Sequence, residues 1–261
     1  VPSPLLVAAL GSSFAAGPGI EPVADAAALR SERNYAHQLA ARLGADLVDL
    51  TVSGATTSNI LDTPQQSPNG ATFPPQLDGL PADTDVVTMT AGGNDLRFAG
   101  ALLHLSWLRV EPDSPLVPML GEPFADGIPP ATDDVVESAT TGLVRVVEAV
   151  RRKAPNARVL LVDYLTVLDR DSLPHLPFTA DEFEVLLVIQ SAIGRVFREA
   201  ASQTGADLVL ASTLSAGHAL GSSDPWVQPF HRDPAATAGS FHPTEAGMSA
   251  IAVELERVLR A

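Results

Sequence analysis

The sequence contains no cysteine and a single lysine, Lys153, and only 5% of its residues are aromatic. Without thiols, disulfides, thiolate nucleophiles and Cys-ligated zinc or iron–sulfur centres are all excluded. The 16 basic residues stand against 31 acidic ones, a net charge of −15. Such a balance lacks the basic face with which proteins displace counterions from nucleic acid, and it disfavours anionic membranes and polyphosphates as partners. No apolar run reaches the roughly 18 residues of a membrane span, so stable membrane insertion is not expected. The chain starts at Val1 with no basic segment leading into a short apolar core, so any export signal is expected to be absent or already removed.

What is present is the composition of a packed domain: 46% apolar and 18% charged residues over 261 positions. Five short apolar runs, Leu5–Leu10, Ala45–Val52, Asp85–Thr90, Arg158–Asp163 and Ala206–Leu210, read as strands covered on both faces. Helical patterns lie between them. One runs from Tyr35 to Leu43 and stops at Gly44. A second is capped by Thr132, buries Val135, Ala139, Leu143, Val146, Val147 and Val150, and ends in Arg151, Arg152 and Lys153, cations placed where the helix dipole favours them. A third opens with the capping box Thr179-Ala180-Asp181-Glu182 and ends at Gly205, and a last one follows Pro243. Strand and helix alternate, which predicts an α/β fold: a three-layer α/β/α sandwich around a central parallel sheet of about five strands, with sites beyond the carboxyl ends of those strands. The expected organisation is a single elaborated domain over residues 1–261, with irregular insertions at about 63–81, 98–130 and 165–178.

The turns after the strands hold the residues suited to chemistry. Gly11-Ser12-Ser13 follows the first run and places two hydroxyls at the end of a buried strand. Val52-Ser53-Gly54-Ala55 follows the second, and Gly92-Gly93-Asn94-Asp95 the third. A serine attacking a carbonyl needs donors aimed at the oxygen that becomes negative. Gly54, whose amide a substrate can approach closely, and Asn94, with a neutral NH₂, are donors of that kind. A base is also needed, and Phe241-His242-Pro243 offers one just before the last helix, where the positive helix end is expected to keep the ring neutral. Glu245 reads as a capping residue.

Taken in order, these blocks resemble the SGNH or GDSL hydrolase family of esterases and lipases, and lesser echoes at Pro75-Gln76-Leu77, Gly217-His218 and Asp224-Pro225-Trp226 resemble its lipase-like members of actinobacterial type. The resemblance implies a flavodoxin-like fold, Ser13 as nucleophile, His242 as base, an oxyanion hole from Ser13, Gly54 and Asn94, an ester substrate, no cofactor or metal, and a bias toward export. Two positions depart from the pattern. The Asp of Gly-Asp-Ser is Ser12, and the triad acid expected three residues before the histidine is Gly239. The group that orients His242 is therefore open: the main-chain carbonyl of Gly239, a displaced acid at Asp233 or Asp224, or no partner at all.

Other readings fit less well. There is no Gly-x-Ser-x-Gly elbow, no P-loop and no third glycine after Gly17-Pro18-Gly19, and the six histidines show no metal-ligand spacing. The apolar stretch Ala101–Val110 is expected to be a helix packed on the sheet, with the alternative that Leu103 and Trp107 line an acyl-binding cleft. Two further readings stay open: a carbohydrate O-deacetylase on the same machinery, and a catalytically impaired scaffold that binds an acyl or glycan ligand.

Overall fold

The computed structural model describes residues 4–67 and 70–261. Val1–Ser3 of the expected domain, and Pro68 and Asn69 of the expected 63–81 insertion, lie outside the described residues. In chain order the strands are β1 (Leu6–Gly11), β2 (Val23–Asp25), β3 (Arg30–Ser31), β4 (Asp46–Asp49), β5 (Gln65–Gln66), β6 (Thr72–Phe73), β7 (Val86–Thr90), β8 (Arg158–Val162) and β9 (Asp207–Val209). The helices are α1 (Ser13–Ala16), α2 (Tyr35–Leu43), α3 (Thr57–Leu61), α4 (Phe98–Val110), α5 (Leu116–Gly121), α6 (Asp133–Lys153), α7 (Ala180–Thr204), α8 (Ala211–Leu214) and α9 (Glu245–Arg260).

The five apolar runs form one parallel sheet in the order β4-β1-β7-β8-β9. Alternation along β1 explains the layering: Ala8 and Leu10 join the core shared with α3, α4, α6 and α7, whereas Val7 and Ala9 face the core shared with α2 and α9. Both faces are thus covered, which is why the strands are apolar throughout. Because β1 is flanked by β4 and β7, the turns that follow these three strands emerge side by side, with that of β1 in the middle.

Local signals set several boundaries. Thr179 and Glu182 form the reciprocal capping box at the start of α7, and Gly205 ends it in the left-handed conformation. Gly44 ends α2 in the same way. On α6 the expected Ala139, Leu143, Val146, Val147 and Val150 are buried, and only in the first turn does Val136 take the buried place, with Val135 half-buried.

The 98–130 stretch is largely helical. Its prolines suggested a loop, but Pro115 sits at the N-cap of α5 and Pro118 in its first turn, where a proline deprives the helix of no bond it would otherwise make. Within it, α4 buries Phe98, Ala101, Leu102, Leu105 and Trp107 in the core, so the expected packed helix is what forms.

Candidate active site

Ser13 owes its place to a forced turn. Gly11 has φ +140°, and a Cβ there would lie 2.3 Å from the Thr90 carbonyl oxygen. Only glycine lets β1 run this close to β7 and then reverse. Gln76 fixes the same point from the other side: its Oε1 accepts from the Gly11 N–H at 2.8 Å and its Nε2 donates to the Gly11 carbonyl at 2.9 Å. The Ser12 N–H donates to Thr90 at 2.9 Å, and α1 begins with Ser13.

His242 arrives from the opposite end of the chain. Its Nε2 lies 2.7 Å from Ser13 Oγ, across 229 positions of sequence. Its Nδ1 lies 2.8 Å from the carbonyl oxygen of Ser240. A carbonyl only accepts, so Nδ1 carries the proton and Nε2 presents its lone pair to the serine hydroxyl. The side chain is 3% exposed. Burial pushes its pKa down to about 4, partly offset by the Ser240 carbonyl, so the ring is neutral at ordinary pH. Desolvation, rather than a helix end, is the cause: α9 starts at Glu245 with Thr244 as its N-cap, later than the proline suggested.

The group orienting His242 is thus a main-chain carbonyl, but that of Ser240 instead of Gly239. The Gly239 carbonyl accepts from the N–H of His242 itself at 3.1 Å. Between Ser240 and the ring the chain passes through Phe241 at φ +65°, the reversal that brings a carbonyl two residues upstream to the imidazole. Neither displaced acid takes part. Asp233 accepts from the Ala235 N–H, and Asp224 meets His218, 3.3 Å from its Nδ1. Glu245 pairs with Arg33 at 2.8 Å rather than capping, a role filled by Thr244.

The turns after β4 and β7, which flank that of Ser13, carry further donors. Neither the Ser13 N–H nor the Gly54 N–H has a protein acceptor among the described residues. Gly54 has φ +86° and is exposed. Asn94 spends one amide hydrogen on the Ala55 carbonyl at 2.9 Å, which ties its turn to that of Gly54, and keeps a second. Asp95 reinforces the tie by accepting from Thr57 Oγ1 at 2.6 Å, and burial raises its pKa. Two free amides and a spare NH₂ at adjoining turns are suited to an anionic oxygen.

Neither Trp107 nor Leu103 borders the cavity beside α4. Trp107 is 0% exposed, and its Nε1 donates to Thr237 Oγ1 at 2.9 Å. Leu103 packs on the core. The opening beside α4 is an apolar cavity of about 340 Å³ lined by its neighbours His104, Leu105 and Leu108, with Phe124, Ile128 and Val185. Packing decides which side of an almost wholly apolar helix faces inward, and periodicity could not.

Three supporting residues escaped the sequence reading. Gln228 pairs with both flanks of the base, its N–H on the His242 carbonyl at 2.8 Å and its carbonyl on the Phe241 N–H at 3.0 Å. Its side-chain amide donates to the carbonyls of Pro18 and Pro243, at 3.0 and 3.1 Å, bridging the exit of α1 to the histidine loop. Ser240 and Tyr164 are the others. None stands in a recognisable motif. Of the lesser echoes, Gln76 proves to be the clamp on Gly11, while His218 and Trp226 stack at 3.9 Å, with the Trp226 carbonyl accepting from the Thr244 N–H at the start of α9.

Comparison with known proteins gives the family and the fold. The GDSL-like lipase/acylhydrolase family matches residues 9–250. Lipase 2 of Streptomyces coelicolor is 37% identical over 218 residues, covering 80% of this chain and 70% of the relative. Two solved structures share the fold: phospholipase A1 of Streptomyces albidoflavus (24% identity, TM-score 0.72, 99% of each chain) and the extracellular lipase of Streptomyces rimosus (22% identity, TM-score 0.69, 98% of each chain). With a family match over nearly its whole length and a lipase as a 37% identical relative, the chain belongs to the GDSL-like lipase/acylhydrolase family and is a carboxylic ester hydrolase.

Proposed function

We propose that ester hydrolysis in this protein runs through an acyl-enzyme on Ser13. The observation that carries the proposal is the 2.7 Å contact between Ser13 Oγ and His242 Nε2, with Nδ1 held by the Ser240 carbonyl. His242 removes the hydroxyl proton as Ser13 Oγ bonds to the acyl carbon. The carbonyl π electrons move to oxygen, and the N–H groups of Ser13 and Gly54 and the NH₂ of Asn94 receive the resulting oxyanion. As the C–O bond to the alcohol breaks, His242 returns the proton to the departing oxygen. Water then repeats the sequence: His242 takes its proton, its oxygen bonds the acyl carbon, and Ser13 leaves as the alcohol with the proton returned to it. No cofactor is required for this balance.

Lipid-like esters are the preferred substrate class in this reading, supported by relatives named as lipases and as a phospholipase A1. Since α4 is core, it gives no basis for choosing an acyl length. Replacing Ser13 with Ala is expected to reduce turnover of an aryl acetate and an aryl octanoate by at least about 10³-fold and to abolish labelling by a fluorophosphonate. Unchanged hydrolysis by the variant would end the proposal, and the ratio of the two rates measures acyl preference.

A further inference from the structure

The first position of the nucleophile turn that departs from its family is Ser12, and a buried phenol meets it. Tyr164 lies just beyond β8, 5% exposed, with its hydroxyl 3.1 Å from Ser12 Oγ. The same oxygen accepts from the Gly93 N–H at 3.1 Å. Gly93 precedes Asn94, and a Cβ on it would fall 2.5 Å from the phenol oxygen, so the glycine is what admits this contact. The Tyr164 ring packs on Phe14 at 4.2 Å between centroids, and Phe14 in turn packs on His242 at 5.0 Å.

We propose that Tyr164 is a positioning residue that sets the nucleophile turn, the turn carrying the Asn94 donor and, through Phe14, the base relative to one another. This rests on the acyl-enzyme reading above. A neutral phenol suits the task, because it can accept a hydrogen bond from the Gly93 N–H while donating its own O–H to Ser12 Oγ. Burial raises its pKa to about 12, so it keeps that hydrogen across the working range. Among buried groups a fixed neutral donor–acceptor pair holds the two turns without placing a negative charge beside the developing oxyanion. The Ser12 hydroxyl and the phenol together thus span the gap at the position where the family carries a carboxylate.

The test uses Tyr164→Phe, which removes one oxygen and leaves the ring against Phe14. On an aryl acetate kcat is expected to fall about 10- to 100-fold with KM unchanged within about twofold, and the rate of fluorophosphonate labelling to fall in parallel. Unfolding curves taken alongside must show the variant folded at the assay temperature, so that the loss belongs to the site. Ser12→Ala in the Tyr164→Phe background is expected to cost little beyond the single change, because both groups serve one chain of contacts. A kcat within about twofold of the parent overturns the proposal. So does activity that merely tracks the folded fraction, or two losses that multiply independently. Ser13→Ala is assayed in the same series: if it stays active the acyl-enzyme reading has failed, whereas an inactive Ser13→Ala beside a fully active Tyr164→Phe removes only the positioning role.

Discussion

A main-chain carbonyl and a carboxylate both accept from Nδ1–H, yet only the carboxylate adds a full charge beside the imidazolium formed during turnover. His242 has the carbonyl of Ser240, so its tautomer is fixed while its basicity is governed by burial. Restoring the family's acid at Gly239 does not reverse this. A Cβ at Gly239 would lie 2.7 Å from Gln228 Oε1 and 3.2 Å from the Gly19 Cα. An added carboxylate would displace the amide that bridges Pro18 and Pro243. Gly239→Asp is therefore expected to destabilise the protein by about 1–3 kcal/mol and to slow turnover. Chemical unfolding and an aryl acetate assay measure both, and a variant as stable as and faster than the parent would show that the glycine is not required. At this scale the meeting of Ser13 with His242 was legible because the proposed reaction demands those residue types. Ser240 was not, since a carbonyl belongs to every residue and carries no signature in the side-chain alphabet.

Among the elements, the β1–α1 connection matters most to the site. Gly11 brings β1 against Thr90 and permits the reversal that puts Ser13 at the start of a helix. Gly11→Ala combines a φ of +140° with a 2.3 Å approach to a backbone oxygen that cannot swing aside. Separation of β1 from β7 is the expected response, with a loss of about 2 kcal/mol or more and a fall in kcat of about 100-fold or more. Equilibrium unfolding together with labelling of Ser13 reads both effects; a variant with parental stability and labelling would refute the role given to this turn. The long helix α7 was legible from its capping box and periodicity, and α6 from periodicity alone, since the Thr132 side chain makes no capping bond. For α9 the local cue misled, because Pro243 forms an antiparallel bridge with Val227 and the Thr244 N–H binds the Trp226 carbonyl, pairing that keeps the chain extended until Thr244. Similarly, α4 looked ambiguous because an almost wholly apolar segment carries no preferred face.

For the molecule as a whole, the buried His242 links the proposed catalysis to stability. His242 titrates near 4 when folded and at about 6.5 in an unfolded chain. Between those values the unfolded chain binds a proton that the folded one refuses, so stability rises with pH across that window and the loss is complete below the folded value. Going from pH 7 to pH 4.5, the parent is expected to lose about 2–3 kcal/mol more than a His242→Gln variant, whose side chain does not titrate. Urea unfolding at the two pH values checks this, and equal losses in both proteins would exclude His242 as the source. The activity of the parent should stay flat down to about pH 5 for the same reason.

By itself the sequence determined the layered α/β architecture and pointed to Ser13, Gly54, Asn94 and His242 as the residues of the proposed reaction, because strand burial, helix capping and reaction chemistry each restrict residue type locally. Tertiary structure alone decided which carbonyl faces the imidazole, that Tyr164 and Gln228 join turns far apart in the chain, and that Trp107 points inward. Those outcomes depend on distances between segments separated by scores of residues, and such distances are set by the packing of the sheet and its two helical layers, which no local pattern encodes.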